Sequence, residues 1–542
     1  GSMKWLLTPN SVLAIKNPSM LLLAVVVLIT GMVLFTGTII ALTTNAIKDY
    51  IQKKQSGSGK IFLENHVVIL NWNNKVPELV ADLLYLEDRK VTVMVLANID
   101  KGVAEKQIMN AIKELNLQDK KIKDFNILVK NGNPLIDSDL YDISILEASA
   151  ILIMNQDAHD EIAQDMSKSD LNIIKIILTI GRLKFKRNPP IVAEVKNIVT
   201  KEKVMKLTKV VDTLQEHTVL PICFDRRLGQ IIAQTIINPK MEDVYLSLFS
   251  FKDAEVYYSP NQEFAHALTY SSRSIPLAKA EKGVFVLAEN DLDVGIESEV
   301  VPEIIKLQPK VINEAVGLEV YIIGTNNKLD FIMTAFKQYE QIHQSRFLSK
   351  YVPTENLDEL LRSLNQNMRP TTLVLLSDEY QQADSLDANI IDTLIQIESE
   401  LKNKDVNIIV ELLDPRNDPI ISDFNIRNTI ISNKIISLLM SKLVFFKETA
   451  PFYDNLLTIA PNEKGEDDQA IIIRAASELF ADSMPITFPS IKSFVVSVHA
   501  AFSEKIIPMG IFKGEQLGLF FGNLLDKEIT INKDDQIVLM KL

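Results

Sequence analysis

The sequence predicts an α/β protein: one membrane-spanning helix, then two doubly wound parallel-sheet domains, each closed by a small β-rich lobe. Three observations predict it. Met20–Thr44 is an uncharged run of about 25 residues, and a helix of that length crosses a hydrocarbon core of about 30 Å. From His66 onward, short apolar runs alternate with stretches of helical spacing, the pattern of strands buried on both faces of a parallel sheet. After residue 316 the same order of elements starts again, which one architecture used twice explains.

Composition narrows the function. A chain of 542 residues has room for several domains, and 47% hydrophobic residues rule out wholesale disorder. A formal charge of −13, with no basic stripe, argues against nucleic acid as the partner. One cysteine, Cys223, excludes a disulfide framework and a Cys-based zinc site. Gly1-Ser2 ahead of Met3 reads as a tag scar. Lys4 and Lys16 precede the apolar run, whereas Lys48, Lys53, Lys54 and Lys60 follow it; this bias predicts a single-pass protein of the cell membrane with its large C-terminal part in the cytoplasm.

Residues 3–19, with Trp5 and the turn formers Pro9-Asn10 and Asn17-Pro18, are expected to lie at the outer interface. Within the 20–44 helix, Thr30, Gly37 and Ala41 share a face, and small residues at that spacing let helices approach closely. A linker, 45–63, includes the flexible Ser56-Gly-Ser-Gly59. The first α/β domain spans 64–239. Its strands are read at His66–Leu70, Val91–Ala97, Asn126–Lys130, Ala150–Met154 and Ile191–Val195, with helices at Pro77–Leu86, Asp157–Thr179 and Asp225–Ile237. A β-rich lobe, 240–310, is read from Tyr245–Phe251, Glu255–Tyr258 and Val284–Leu287. In the second domain, 316–450, Leu318–Lys328 echoes His66–Lys75, and Leu373–Leu376, Asn407–Leu412 and the helix Ile431–Val444 follow in the same order. Residues 451–542 form the second lobe, β-rich over Phe494–Leu542.

A dinucleotide would meet the first strand–helix turn, where glycines let the backbone approach a pyrophosphate. That turn here is Asn71-Trp-Asn-Asn-Lys75, without glycine, and in the second domain Gly324 stands alone. Asn71, Asn73, Asn98, Asp100 and Gly324 are the residues placed to touch such a ligand. Glu194 and Glu411 occupy matching apolar strands, and a buried carboxylate needs a partner or a ligand. No metal-ligand histidine spacing, P-loop or nucleophile elbow is present, so no catalytic set emerges; His66 reads as a strand-edge residue.

Several stretches resemble tandem RCK domains (regulators of potassium conductance) of the CASTOR/POLLUX type of ion channel. They are Asn45-Ala-Ile leading to Glu64–Trp72, Asn131–Leu135, Leu220–Asp225 with the helix to Pro239, Glu411–Arg416, Pro508–Ile511 and Lys533–Val538. The resemblance runs from about residue 20 to the end, and its ordered set of matches is more specific than any one. It implies an inner pore helix at Met20–Thr44 and divalent-cation regulation; no filter of the T-x-G-Y-G kind precedes that helix. Under that implication Asp157, Asp160, Glu161, Asp378 and Glu379 are candidate Ca²⁺ ligands, although acidic residues opening a helix also favour its dipole. Asp225, Arg226 and Arg227 resemble the crossover into a dimer interface, a start that Asp225 would equally explain by capping. The apolar faces of 225–237 and 431–444 are the expected pairing surfaces of a homo-oligomer, a tetramer closing a ring.

The expected function is a membrane-tethered, ligand-sensing gating subunit of a cation channel, not an enzyme, with Ca²⁺ or a nucleotide as regulatory ligand. The alternative is a non-conducting single-pass sensor acting on a separate transport or pore-forming subunit. An oxidoreductase ranks third, because both domains lack the glycine fingerprint.

Overall fold

A computed structural model of the chain describes residues 15–27, 29–30, 60–84, 91–117, 125–156, 166–215, 218–250, 254–313, 317–366, 369–379, 387–457 and 471–542. The first sheet contains β1 (His66–Leu70), β2 (Thr92–Ala97), β3 (Asn126–Asn131), β4 (Ala148–Ile153), β5 (Ile191–Val195) and β6 (Val219–Cys223). Its order is β3-β2-β1-β4-β5-β6, all parallel, with the chain reversing direction of growth beside β1. Every residue of β1 and β5 is buried, which is why these strands read as continuous apolar runs rather than alternating ones. His66 belongs to that interior: β1 is central, not an edge, and the ring is fully buried with Nε2 3.1 Å from Ile143 O. Burial pushes its pKa down.

A three-stranded antiparallel lobe follows, β7 (Glu255–Pro260), β8 (Ile275–Ala280) and β9 (Gly283–Ala288). The stretch expected to open it as strand is instead the helix Met241–Phe249. Its buried Val244, Tyr245, Leu248 and Phe249 recur at helical, not alternating, spacing, and Tyr245 stacks on Phe249 at 5.9 Å.

The second sheet has β10 (Gly317–Ile323), β11 (Arg346–Val352), β12 (Thr371–Leu375), β13 (Asn407–Leu412) and β14 (Asn428–Ile431), again all parallel in the order β11-β10-β12-β13-β14. Register fixes the equivalence of the halves: Leu70 pairs with Leu96 and Ile153, and Ile323 pairs with Val352 and Leu375. Among the described residues no strand in this sheet corresponds to β3, so β11 is an edge whose Leu348 and Tyr351 stay exposed. The closing lobe holds β15 (Ile471–Ala475), β16 (Ile486–Phe488), β17 (Ile506–Lys513), β18 (Gln516–Leu519), β19 (Ile529–Ile531) and β20 (Gln536–Lys541). It departs from the β-rich expectation over Ile491–Ala501, a buried helix capped by Ser490, whose Oγ accepts from Ser493 N at 3.0 Å.

Four helices join the halves: α1 (Val76–Leu84), α2 (Phe224–Ile237), α3 (Leu329–His343) and α4 (Ser432–Phe445). Each sheet is followed by a helix that packs on the other half, α2 on α3 and α4 on α1. The expected pairing faces, 225–237 and 431–444, are therefore covered within one chain. Glycine permits the closest approach: a Cβ on Gly229 would sit 2.6 Å from Phe331 Cβ and 3.1 Å from Lys328 O. On the other arm Ser437 Oγ donates to Asp82 Oδ2 at 2.7 Å. One hydrophobic core runs unbroken through both halves, from Val67 to Met540.

Residues 18–27 and 29–30 are helical, and Thr30 is exposed there. Among the described residues no helix is long and apolar enough to cross a membrane. Most of the expected span, with Gly37 and Ala41, lies outside the described residues, as do the linker 45–59 and Asp157, Asp160 and Glu161.

Candidate functional site at the seam

The strand ends of the two sheets meet at the seam, and the same polar arrangement is built there twice. In the first half, Asn73 Nδ2 donates to Asn155 O at 2.8 Å and to Glu194 Oε2 at 2.9 Å. Asn155 N donates to the same oxygen at 2.9 Å, and Lys75 Nζ reaches Glu194 Oε1 at 2.8 Å. In the second half, Asn326 Nδ2 donates to Ser377 O at 2.9 Å and to Glu411 Oε2 at 2.8 Å. Lys328 Nζ lies 3.1 Å from Glu411 Oε1 and also pairs with Glu379, while Ser432 Oγ donates to Glu411. Glu194 is 4% and Glu411 1% exposed, so each buried carboxylate is compensated by a lysine and by neutral donors.

A second carboxylate stands behind each first one. Asp170 accepts from Asn155 Nδ2 (2.8 Å), Lys196 N (2.9 Å) and Asn197 N (3.0 Å). Asp387 accepts from Ser377 Oγ, from Leu413 N (3.0 Å) and Asp414 N (2.9 Å), and from Asn417 Nδ2 (3.0 Å). In both halves this aspartate satisfies the backbone N–H groups that the chain exposes on leaving the glutamate strand.

The two clusters face a shared cavity of about 60 Å³, lined among others by Lys75, Glu194, Asp225, Lys328 and Glu379. Asp225 is on the first turn of α2, where no side-chain cap bond is made. Burial pushes its carboxyl up; Lys328 and Lys75 pull it back and Glu194 raises it further. Arg227, two residues along, crosses to the other half and pairs with Asp454 of Ala450–Leu456, which Lys201 also contacts at 3.4 Å. Burial alone would raise the Asp454 carboxyl, but Arg227 and Lys201 together hold it below its ordinary value. Arg226 remains half-buried on the same turn.

Of the residues singled out in the sequence, Asn73, Glu194, Asp225, Glu379 and Glu411 come together here. Asn71 and Gly324 occupy equivalent positions just after β1 and β10, both with positive φ, 70° and 86°. Asn98 and Asp100 stand apart: both are exposed, and Asp100 accepts from Val103 N at 3.1 Å, capping the helix Lys101–Leu117. Asp378 lines a different cleft. Among the described residues no three His, Cys, Asp or Glu side chains gather as a metal site. The second glycine of a dinucleotide fingerprint would fall at Asn73 and Asn326, where an amide instead fills the approach and is bonded inward to a glutamate. The lysines, Asn155, Asp170, Asp387 and Ser432 were missed in the sequence, although Asn-Asn-Lys stands twice, at 73–75 and 326–328.

Two parallel sheets in one chain, clasped by exchanged helices over a charged seam, define the class by fold: a tandem pair of Rossmann-like α/β domains. The gating ring of human SLO3 has this fold, at a TM-score of 0.57 and 12% identity, over 88% of this chain and 99% of that one. The GsuK channel bound to NAD also aligns, at a TM-score of 0.40 and 13% identity, over 97% of this chain and 86% of that one. The chain is a relative of the CASTOR/POLLUX-type ion channels. It is 24% identical over 232 residues to the probable ion channel POLLUX of Oryza sativa subsp. japonica, a match covering 42% of this chain and 22% of that protein. It is 23% identical over 240 residues to the ion channel CASTOR of Lotus japonicus, covering 44% and 25%. The matched part thus spans about a quarter of these relatives' length. No family model matches the chain.

Proposed function

We propose that the chain is the ligand-sensing, gating part of a cation channel, tethered to the membrane through residues 20–44 with its body in the cytoplasm. The observation that carries this is the clasped pair of sheets: α2 and α4 tie each half to the other, so a change at either sheet end is felt across the seam. Relatives named as ion channels support the same reading. Met20, Leu22, Val26 and Ile29 are exposed on the described N-terminal turns, an apolar surface that lipid would cover. The regulatory ligand is Ca²⁺ or a nucleotide-like molecule, and copies of the chain close a ring, a tetramer by preference.

Gating is mechanical. A ligand that binds two arrangements of the halves with different affinity shifts their populations, and the 45–63 linker transmits the shift. No enzymatic step is proposed, because the lysines and carboxylates of the seam neutralise one another. The test is reconstitution of the purified chain in liposomes, with K⁺, Na⁺ and Ca²⁺ flux followed under each ligand. Ligand-dependent flux is the expected result. Membrane binding without flux under any ligand would assign the chain to a non-conducting sensor acting on a separate transport subunit.

A further inference from the structure

All six strands of the first sheet run parallel, so their starts share one end of the domain and the seam lies at the other. The chain reaches β1 at the start end through 60–65, and hydrogen bonds tie that stretch to its neighbours. Ile61 N donates to Asp142 O at 2.6 Å, and Asn65 N to Glu147 O at 3.0 Å. Arg187 Nη1 reaches Asn65 Oδ1 at 3.5 Å, and Lys186 N donates to Leu146 O at 3.4 Å. The residues that lead into β1, β4 and β5 therefore form one continuous surface, at the end where the N-terminal segment arrives.

That surface is basic in a chain whose formal charge is −13. Arg182-Leu-Lys-Phe-Lys-Arg187 carries cations at four of its positions and no acid. Leu183 is buried and Phe185 packs on the core of β1, β4 and β5, so Arg182, Lys184, Lys186 and Arg187 all stand in solvent. The loop is held in place: Leu183 N donates to Ile180 O at 2.9 Å, and the buried, stiff Pro189-Pro190 leads into β5. Acids do not cancel it. Arg182 lies 3.8 Å from Asp137 and Lys186 pairs with Glu147, both open to solvent and hence weak, and Glu64 is exposed beside them. Among the described residues Lys184, Arg187 and Lys60 have no acidic partner; Lys60 Nζ instead lies 5.3 Å from the ring of Phe62. Phe62 itself is 80% exposed.

The duplication supplies a control. The loop 182–190 follows the helix Met166–Gly181 and precedes β5; in the second half its equivalent follows the helix Ala388–Glu400 and precedes β13. There Lys402 and Lys404 are mixed with Glu398, Glu400 and Asp405. The fold thus does not require a basic run at this position, and the run occurs in the half that the N-terminal segment enters. Neighbouring cations in solvent beside an exposed aromatic ring suit a surface of many anionic headgroups, where lysine and arginine meet phosphate and aromatic rings lie at the interface.

We propose that the strand-start end of the first half docks on an anionic lipid bilayer, with Arg182, Lys184, Lys186 and Arg187 on the headgroup phosphates and Phe62 at the interface. The surface rests on the membrane-tethered reading above for bringing the bilayer within reach. It gives the first half a second hold on the membrane, at the end opposite the seam.

Hydrogen exchange on the full-length chain tests this, in nanodiscs of phosphatidylcholine alone or with about one third phosphatidylglycerol. Backbone amides of 182–187 are expected to exchange about fivefold slower or more on the anionic discs, and to lose that protection in about 1 M salt. A variant combining Arg182→Gln, Lys184→Gln, Lys186→Gln and Arg187→Gln should abolish it with an unchanged melting temperature, since all four side chains are exposed. Arg182→Lys with Arg187→Lys should retain it. Equal exchange on both discs would overturn the proposal, as would protection that the glutamine variant keeps. So would equal protection on neutral discs from soluble glycerol phosphate, which would assign the cations to a free anion. A chain that enters neither disc counts against the tether alone, and flotation with phosphatidylglycerol vesicles then decides the surface. Flotation lost in the glutamine variant supports it, and no flotation overturns it.

Discussion

Glu194 accepts from three donors in different parts of the first half, Asn73, Asn155 N and Lys75, so truncating it strands all three. Glu194→Ala is expected to cost about 3–5 kcal/mol of unfolding free energy, the usual result of breaking a buried pair from one side. A loss below about 1 kcal/mol in urea titration would mean that water replaces the carboxylate at no cost. Glu242 sets a pH dependence of its own. It is buried between the halves and accepts from Asn428 Nδ2 at 2.9 Å, and burial pushes its pKa from 4.5 up to about 8. The folded-state pKa is the higher one, so its contribution is complete below about pH 4.5 and is lost as pH rises to about 8. Glu242→Gln keeps an acceptor for Asn428 and removes the titration. It should flatten stability across that window and raise it at pH 8 by on the order of 2–4 kcal/mol. An unchanged slope in denaturation series at several pH values would contradict this.

Among elements, the exchanged helices matter most. Gly229 on α2 admits no Cβ without moving Phe331 on α3, so Gly229→Leu wedges the two apart. A loss of about 1–3 kcal/mol in thermal unfolding is expected from that overpacking, and no loss would mean the helices slide freely. The central strands of both sheets were legible in the sequence, because burial on two faces leaves apolar runs such as HVVIL and NIIVEL unmistakable, whereas β6, β11 and β14 at the sheet edges were not read as strands. Met241–Phe249 was misread, since its apolar residues crowd together and only their spacing tells helix from strand. The seam was half legible. Glu194 and Glu411 stood out as acids in apolar strands, but their lysines lie 119 and 83 residues away and nothing local announces the pairing. The exchange of α2 and α4 could not be read at all, since an apolar helix face does not say whether its own chain or another copy covers it.

At the scale of the whole molecule, one continuous core joins the two sheets, and the gating proposal assigns the change of arrangement to the duplicated seam between them. Glu411→Ala, which frees Lys328 from one partner, should therefore alter gating as well as stability. The most direct measurement is cation flux into liposomes carrying the purified native chain or the Glu411→Ala variant, at matched protein content and with ligand added or withheld. The account predicts ligand-dependent flux in the native chain and a changed ligand response in the variant. Ligand-dependent flux that Glu411→Ala leaves untouched, or no flux from the native chain under any ligand, would contradict it.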